Sequence, residues 1–222
     1  MIQQQQIQPV LQFGKELFLL NFIKISSLPL ALLSYIFEYF KIDGIDKDLK
    51  KSLEIIDKYS SVNIGKKLID VLIIAEDRRN SLHNGVDTIA ILRAIKVRIL
   101  KKVYQGASTI EQQFVRVVTN RYERNIYRKF REQLLAIAVS KKRTKNEIAK
   151  AYLSIAYYGY NLEGISAIKK ICGENIYEVS LDKSIELVSR LKYPQPLNIN
   201  DIWLTKHNNR NNYISKMINK NI

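Results

Sequence analysis

Apolar residues recur at steps of three and four through most of the chain after Ile64, and this period constrains the fold more than any other feature. One stripe consists of Leu68, Val71, Leu72 and Ala75. The same spacing returns in the segments Thr109–Val118, Tyr127–Val139 and Lys145–Ala156. Because few segments alternate with a period of two, strands are expected to be scarce. The sequence therefore predicts an all-α, or nearly all-α, domain.

Composition adds a strong positive charge. The chain has 222 residues, 46% of them hydrophobic, which is enough for one sizeable core. The net charge is +15, and residues 93–145 hold 15 Lys and Arg against three Glu and no Asp. This balance favours a polyanionic or anionic-membrane partner. The alternative is a solvated face in a chain of biased composition.

Cysteine and histidine usage excludes several kinds of site. Cys172 is the only cysteine, so no intrachain disulfide and no cysteine zinc cluster can form. The two histidines, His83 and His207, lie far apart in the sequence. A histidine metal site or a Ser-His-Asp triad therefore has little support.

Four regions follow from the distribution of apolar and charged residues. Residues 1–16 are predicted to be a flexible tail, and residues 17–40 an apolar membrane-associated segment or anchor. The charge-free stretch Ile25–Phe37 has 13 residues, fewer than the roughly 20 that a spanning helix needs. An interfacial helix and an ordinary buried helix are therefore alternatives. Residues 41–63 are predicted to be a linker with a short helix, and residues 64–222 the functional domain.

Two carboxylates, Glu76 and Glu132, stand in this cationic part of the chain. Paired acids inside a cationic surface suit sugar chemistry on a phosphorylated substrate. Glu76 follows the apolar stripe and precedes polar residues, so we expect it at a helix end facing a cleft, where it can act as a general base. The alternative is a surface glutamate paired with Arg78 or Arg79.

Two further motifs lie between and around these acids. The first is Gly-Ala-Ser-Thr-Ile-Glu-Gln-Gln over residues 106–113, and the second is Arg-Lys-Phe-Arg-Glu over residues 128–132. Ser108 and Thr109 can cap the following helix as well as offer hydroxyls to a substrate. Arg128 and Glu132 fall on one helix face, where a simple intrahelical salt bridge is the alternative.

The order and spacing of these pieces resemble the glycosyltransferase family that polymerises peptidoglycan from lipid II. This domain occurs in class A penicillin-binding proteins and monofunctional transglycosylases. The two motifs above are complete, and the first family motif is matched by Glu76, Asp77, His83 and Gly85, with Asn80 in place of an aromatic residue. The resemblance covers about residues 68–217.

Some positions depart from the family pattern. Arg116 stands where the family has a lysine, and Lys150 replaces a glutamate. Tyr152 fits the pattern, whereas Ser154 does not. A tandem arginine near the end is reduced to Arg210, with Asn209 before it. We expect Lys150 to have found an acidic partner, the nearest in sequence being Glu147 and Glu163.

The resemblance implies a lysozyme-like α-helical fold and an inverting transfer that releases undecaprenyl pyrophosphate. It implies that Glu76 is the catalytic base and that Glu132 is the second acidic residue of the catalytic pair. Arg116, Arg128 and Lys129 would lie near the pyrophosphate. The other implied substrate contacts are Asp77, His83, Gly106, Ser108, Thr109, Gln112, Gln113, Tyr152 and Arg210.

The resemblance also implies partners and a location. The partners would be lipid II, the nascent glycan chain, the bacterial membrane and other cell-wall synthesis proteins, with no nucleic acid. The domain would lie on the extracytoplasmic face of the inner membrane. No cofactor is required and no metal ligands are assigned, although a Mg or Mn ion could serve at the pyrophosphate.

Three alternatives stay open. The departures at Lys150, Ser154 and Asn209 suit a diverged, weakly active or inactive protein that binds glycan or lipid II. A lysozyme-like protein that cleaves glycan is a second alternative, although the cationic motif at residues 128–132 argues against a neutral substrate. A basic helical nucleic-acid-binding module would explain the charge but not the motifs.

Overall fold

The computed structural model describes residues 2–220, with side chains from Gly14 onward. Ten α-helices run through this part of the chain: α1 Ile2–Tyr39, α2 Ile45–Tyr59, α3 Lys66–Glu76, α4 Thr88–Lys101, α5 Ile110–Thr119, α6 Ile126–Lys142, α7 Lys145–Ile155, α8 Gly164–Cys172, α9 Leu181–Lys192 and α10 Asp201–Asn219. Short 3₁₀ turns span Ile42–Gly44 and Asn80–Leu82. Two short antiparallel strands, β1 Tyr157–Gly159 and β2 Leu162–Glu163, form a hairpin. The prediction of a mostly α-helical chain is confirmed.

The core lies where α5, α6 and α7 meet, with α2, α3, α8 and α9 packed around them. Phe114 from α5, Leu135 from α6 and Leu153 from α7 are all buried there. Burying such side chains supplies the main favourable term in folding. The predicted helical stripes at residues 109–118 and 127–139 are the faces that meet in this core.

Helix α2 belongs to the core, so the helical domain begins near Ile45 rather than at the predicted residue 64. Leu49 and Ile56 are buried within the main cluster. The helix is amphipathic, and its many Lys and Asp residues occupy the outer face. The high charge of this segment predicts a linker, whereas the helix buries an apolar stripe against the core.

Helix α1 is continuous from Ile2, so it includes most of the tail predicted over residues 1–16 as well as the apolar segment. Its part Gly14–Tyr39 has 26 residues and contains an 18-residue window with a mean hydropathy of 1.8, little of which is buried. By length and composition this part is long and apolar enough to cross a membrane.

The C-terminal half of α1 is attached to the domain through α6. Ser34 donates a hydrogen bond to the carbonyl of Leu134 at 2.8 Å, and Lys142 pairs with Glu38 at 2.8 Å. Phe37 meets Phe130 edge to face, with ring centroids 6.1 Å apart. The apolar segment is therefore bound to the domain along one side and exposed along the other.

Side-chain caps start the helices that surround the site. Asp87 accepts a hydrogen bond from Ala90 N at the start of α4, and Thr109 accepts one from Gln112 N at the start of α5. The Thr109 cap agrees with the sequence analysis.

Helix α7 starts with a capping box in which the Glu147 carboxylate accepts from the backbone and hydroxyl of Thr144. Glu147 is thereby engaged at the helix start, and Lys150 forms no ion pair with any residue in the described part of the chain. The expected pairing of Lys150 with Glu147 or Glu163 is therefore wrong.

Candidate active site

A cleft of about 710 Å³ opens beside the C-terminal end of α3. Its wall comes from α3, α4, α5, α9 and α10, together with the loop before α5. The cations that line it are Arg78, Arg79, Arg93, Arg116, Lys192, Lys206 and Arg210. A cleft with this lining attracts an anionic ligand.

Glu76 is the last residue of α3 and its side chain, 17% exposed, lines the cleft. Its Oε1 accepts a hydrogen bond from Arg210 Nη2 at 2.6 Å, and its Oε2 accepts one from Gln113 Nε2 at 3.2 Å. An ionised carboxylate has about four acceptor positions, so roughly two remain available on the cleft side. The location at a helix end facing a cleft agrees with the sequence analysis, but the partner is Arg210 rather than Arg78 or Arg79.

Glu132 on α6 has a different environment. Its side chain is 4% exposed, and three cations surround it. Arg116 donates from Nε to Oε2 at 2.9 Å and from Nη2 to Oε1 at 3.0 Å. Lys129 Nζ lies 2.6 Å from Oε1, and Arg128 Nη1 donates to Oε2. Four donors therefore occupy all of the roughly four acceptor positions of this carboxylate.

The electrostatics of this cluster, formed by Glu132 with Arg116, Arg128 and Lys129, favour the charged carboxylate. Burial acts to raise the pKa of Glu132, but the hydrogen bond from Arg116 and the charges of Lys129 and Arg116 outweigh it and lower the pKa. Burial lowers the pKa of Lys129, Glu132 raises it, and the two neighbouring arginines lower it further. Three cations share one carboxylate, so the cluster has an excess of positive charge.

Ser108 connects the cluster to the cleft wall. Its Oγ accepts from Lys129 Nζ at 2.9 Å and from Arg116 Nη2 at 3.3 Å. Both Ser108 and Arg116 line the cleft. The cluster can therefore present positive charge to a ligand in the cleft through Arg116, with Lys129 directly behind the Ser108 hydroxyl.

Asp77 is buried beside Glu76 and has several polar partners. Its carboxylate lies 3.0 Å from His83 Nε2 and accepts from Asn80 Nδ2 at 3.1 Å and from the backbone N of Ile110 at 3.2 Å. Burial acts to raise the pKa of Asp77, but the hydrogen bonds from His83 and Asn80 and the charge of His83 lower it. Asp77 therefore joins the loop after α3 to the start of α5.

Gly85 is the glycine that this arrangement requires. Its φ is +89°, and a Cβ atom there would lie 2.6 Å from the backbone of Ala136. The Gly85 carbonyl accepts from Thr109 Oγ1 at 2.7 Å and from Gln112 Nε2 at 3.3 Å. At Gly106, by contrast, a Cβ atom would meet no atom within 4 Å, so no close contact with the described chain requires a glycine there.

A second buried network joins Asp77 to α5 and α7. Asp77, His83 and Glu111 offer ligand atoms within 4.8 Å of one another, an arrangement that could hold a metal ion. The Lys145 ammonium lies among them, paired with Glu111 and 3.3 Å from His83 Nδ1. The lysine supplies the positive charge that two buried carboxylates need. Glu111 and Lys145 were not assigned to the site from sequence, because their pairing joins different helices.

The structure separates the predicted substrate contacts into two groups. Those that line the cleft are Asp77, Gly106, Ser108, Thr109, Gln113, Arg116 and Arg210. Those that do not line it are His83, Gln112, Tyr152, Arg128 and Lys129. The His83, Gln112 and Tyr152 side chains are buried and bond other site residues. These contacts support the site from behind, and a contact of the three residues with substrate stays a prediction.

Three arginines in the cleft wall were missed. Arg79 pairs with Asp87 at 2.7 Å, whereas Arg78 contacts the sulfur of Met217. Burial lowers the pKa of Arg93, and the charge of Arg79 lowers it further. The sequence held a signal for two of them, since Arg78 and Arg79 directly follow the Glu-Asp pair of the first motif.

Comparison with known proteins places this site in a family. The sequence model of a family described as "Transglycosylase" matches residues 49–219. Penicillin-binding protein 1B of Haemophilus influenzae is 37% identical over 142 residues, which is 61% of this chain and 18% of that protein. Penicillin-binding protein 1A of Aquifex aeolicus is 34% identical over 143 residues, 63% of this chain and 20% of that protein.

Penicillin-binding protein 1A of Escherichia coli is 34% identical over 137 residues, covering 61% of this chain and 16% of that protein. The chain thus aligns with a fifth or less of the length of these relatives. The match starts at residue 49, inside α2, in agreement with the place of that helix in the core. It also confirms the lysozyme-like helical fold that the resemblance implies. The chain belongs to the transglycosylase family found in class A penicillin-binding proteins.

Proposed function

We propose that this chain is a peptidoglycan glycosyltransferase that polymerises lipid II into glycan strands. The acceptor is one lipid II molecule, and the donor is the growing chain on its undecaprenyl pyrophosphate. The observation that carries the proposal is the pairing of an accessible carboxylate, Glu76, with an excess of cations around Ser108 along one cleft.

Glu76 acts as the general base. It removes the proton from the 4-hydroxyl of the acceptor sugar, using one of the acceptor positions that its protein partners leave open. The hydroxyl oxygen attacks C1 of the donor's terminal sugar and the bond to pyrophosphate breaks, so the configuration at C1 is inverted. No covalent intermediate is needed, since pyrophosphate is already a good leaving group and alignment of the two sugars supplies much of the rate.

Arg116, Lys129 and Arg128 stabilise the departing pyrophosphate. Its negative charge grows as the bond to C1 lengthens, and cations held in place before the reaction stabilise that charge most. Glu132 contributes indirectly, because its four hydrogen bonds keep the cations together. A Mg or Mn ion at the pyrophosphate would add to the same stabilisation.

The apolar part of α1 is proposed to hold the enzyme at the inner membrane, where the lipid substrate resides. Its length and hydropathy suit a membrane span, and its C-terminal half is attached to α6. The catalytic domain would then lie on the extracytoplasmic face, close to the lipid tails of both substrates and to other cell-wall synthesis proteins.

The test is an assay of purified full-length protein with labelled lipid II in detergent. The proposal predicts glycan strands of increasing length together with released undecaprenyl pyrophosphate. Binding of lipid II without product would instead support the diverged binding protein, which the departures at Lys150, Ser154 and Asn209 favour. Shortening of preformed glycan strands would support a lysozyme-like hydrolase.

A further inference from the structure

The carboxylate of Glu76 is held from the C-terminal helix α10. Arg210 Nη2 donates to Glu76 Oε1 at 2.6 Å and to the carbonyl of Ala75 at 2.9 Å. Arg210 is 9% exposed, so this contact is largely shielded from water. The guanidinium also lies at the C-terminal end of α3, where a cation interacts favourably with the last carbonyl groups. One side chain therefore fixes both the backbone and the carboxylate at this point.

The other oxygen of Glu76 is held from α5 and α7. Gln113 Nε2 donates to Glu76 Oε2, and Gln113 Oε1 accepts from the Tyr152 hydroxyl at 2.8 Å. A carboxylate can only accept, so the amide nitrogen must face Glu76 and the amide oxygen must face Tyr152. Burial, and then the charge of Glu76, raise the pKa of Tyr152, so its hydroxyl stays a donor.

We propose that Arg210, Gln113 and Tyr152 are positioning residues that hold the Glu76 carboxylate in one orientation, with its open acceptor positions directed into the cleft. This inference rests on the proposed function, in which Glu76 is the base. It differs from the sequence prediction, which placed all three residues in contact with substrate. A positioning role affects the chemical step, whereas a substrate contact affects binding.

Steady-state kinetics with lipid II separate the two roles. Arg210→Met keeps an unbranched apolar stem and removes the charged guanidinium, and we expect kcat to fall about 100-fold with KM within about twofold of wild type, since misplacing a reacting group has a large cost. Arg210→Lys should restore part of kcat, because an ammonium can reach one of the two acceptors. Lys216→Ala, which removes an exposed cation from the same helix, is the matched control and should leave both constants unchanged.

Tyr152→Phe tests the other side of the carboxylate. It removes the hydroxyl that orients Gln113, and we expect kcat to fall about fivefold, the equivalent of one neutral hydrogen bond, with KM unchanged. A rise in KM of tenfold or more at unchanged kcat, in Arg210→Met or in Tyr152→Phe, would overturn the positioning role and support contact with substrate.

A thermal-melt cycle tests the contact without catalysis. The shifts for Arg210→Met, Glu76→Gln and the double variant should be non-additive, because each single change removes the same interaction. Additive shifts would overturn the inference even in an active enzyme. A wild-type protein that makes no glycan, yet shows non-additive shifts, would sink the proposed function and leave the contact established.

Discussion

Glu76 and Glu132 are both glutamates in the same domain, yet their surroundings differ in one decisive respect. Glu132 accepts four hydrogen bonds from three cations and is 4% exposed. Glu76 accepts one bond from Arg210 and one from Gln113, and it is 17% exposed in the cleft wall. A general base needs an open acceptor position for the proton it takes. Glu76 has such positions, whereas Glu132 has none among the described residues.

The difference shows that two glutamates from neighbouring motifs need not have the same chemical role. The spacing Arg-Lys-x-x-Glu brings cations to Glu132 within its own helix, and Arg116 completes the group from α5. In the proposed function, this carboxylate is a counterion that holds the cations together where the pyrophosphate would bind. Glu76, by contrast, is held by only two groups and remains accessible. The predictions below test this assignment from the largest expected effect to the smallest.

Glu76→Gln should reduce glycan polymerisation by at least about 100-fold, the usual contribution of a general base. The change is isosteric, so the fold should be retained, with a melting temperature lowered only by the lost ion pair to Arg210. Continuous assay with labelled lipid II measures the loss. Glu54→Gln, at an exposed position on α2 whose partner Lys50 lies 4.0 Å away, is the control and should keep full activity.

Glu132→Gln should lower the free energy of unfolding by about 3 kcal/mol, the lower end for an interrupted buried ion pair. The lower end applies because the three cations keep 15–30% of their side-chain exposure to water. Inorganic pyrophosphate should raise the melting temperature of this variant more than that of wild type, since an anion can replace the lost carboxylate. An equal rise in both proteins would argue against an anion site at the cluster.

Lys129→Ala should reduce turnover more than it weakens substrate binding, because its charge is needed most as pyrophosphate separates. Arg116→Lys should cause only a small loss of turnover, because lysine keeps the positive charge and loses one of the two hydrogen bonds to Glu132. Rates at saturating and limiting lipid II distinguish the two effects. A large loss for Arg116→Lys together with none for Lys129→Ala would reverse the proposed roles.

Acid stability provides a further test. The pKa of Glu132 is lower in the folded protein than its ordinary value of 4.5, so the carboxylate stabilises the fold above that value. This stabilisation is lost as the pH falls through the folded-state pKa. The decrease in melting temperature from pH 7 to about pH 3 should therefore be smaller for Glu132→Gln than for wild type. An equal decrease in the two proteins would show that the cluster does not hold the carboxylate in its charged form.

Lys150→Glu should have the smallest effect, within about 1 kcal/mol of unfolding free energy. Lys150 lies outside both clusters and forms no ion pair in the part of the chain described. Thermal melting of Lys150→Glu and wild type measures this effect. A clear gain in stability with higher polymerase activity would instead identify the lysine as a defect in a decaying enzyme.

The sequence predicted the parts of this molecule that depend on local patterns. The helices, the Thr109 cap and the position of Glu76 all follow from spacing of three or four residues and from capping chemistry. The core position of α2 was missed because charges on its outer face outnumber the apolar residues on its inner face.

Contacts between distant segments could not be predicted. Arg210 meets Glu76 across 134 positions, and Tyr152 reaches Gln113 across 39. No local period records such pairings, because they depend on how the helices pack. The same holds for Glu132, because Arg116 from a different helix fills two of its four hydrogen-bond acceptor positions. The motifs therefore identified the residues, and the packing determined which of them face a ligand.

The most direct test of the assignment is a single-turnover comparison of Glu76→Gln and Glu132→Gln, with enzyme in saturating excess over labelled lipid II. We predict that Glu76→Gln forms no new glycosidic bond above background, while Glu132→Gln forms the bond slowly and to completion, because the base is intact and only the cations are disturbed. Bond formation at close to the wild-type rate in Glu76→Gln, with none in the folded Glu132→Gln variant, would contradict the account and make Glu132 the base.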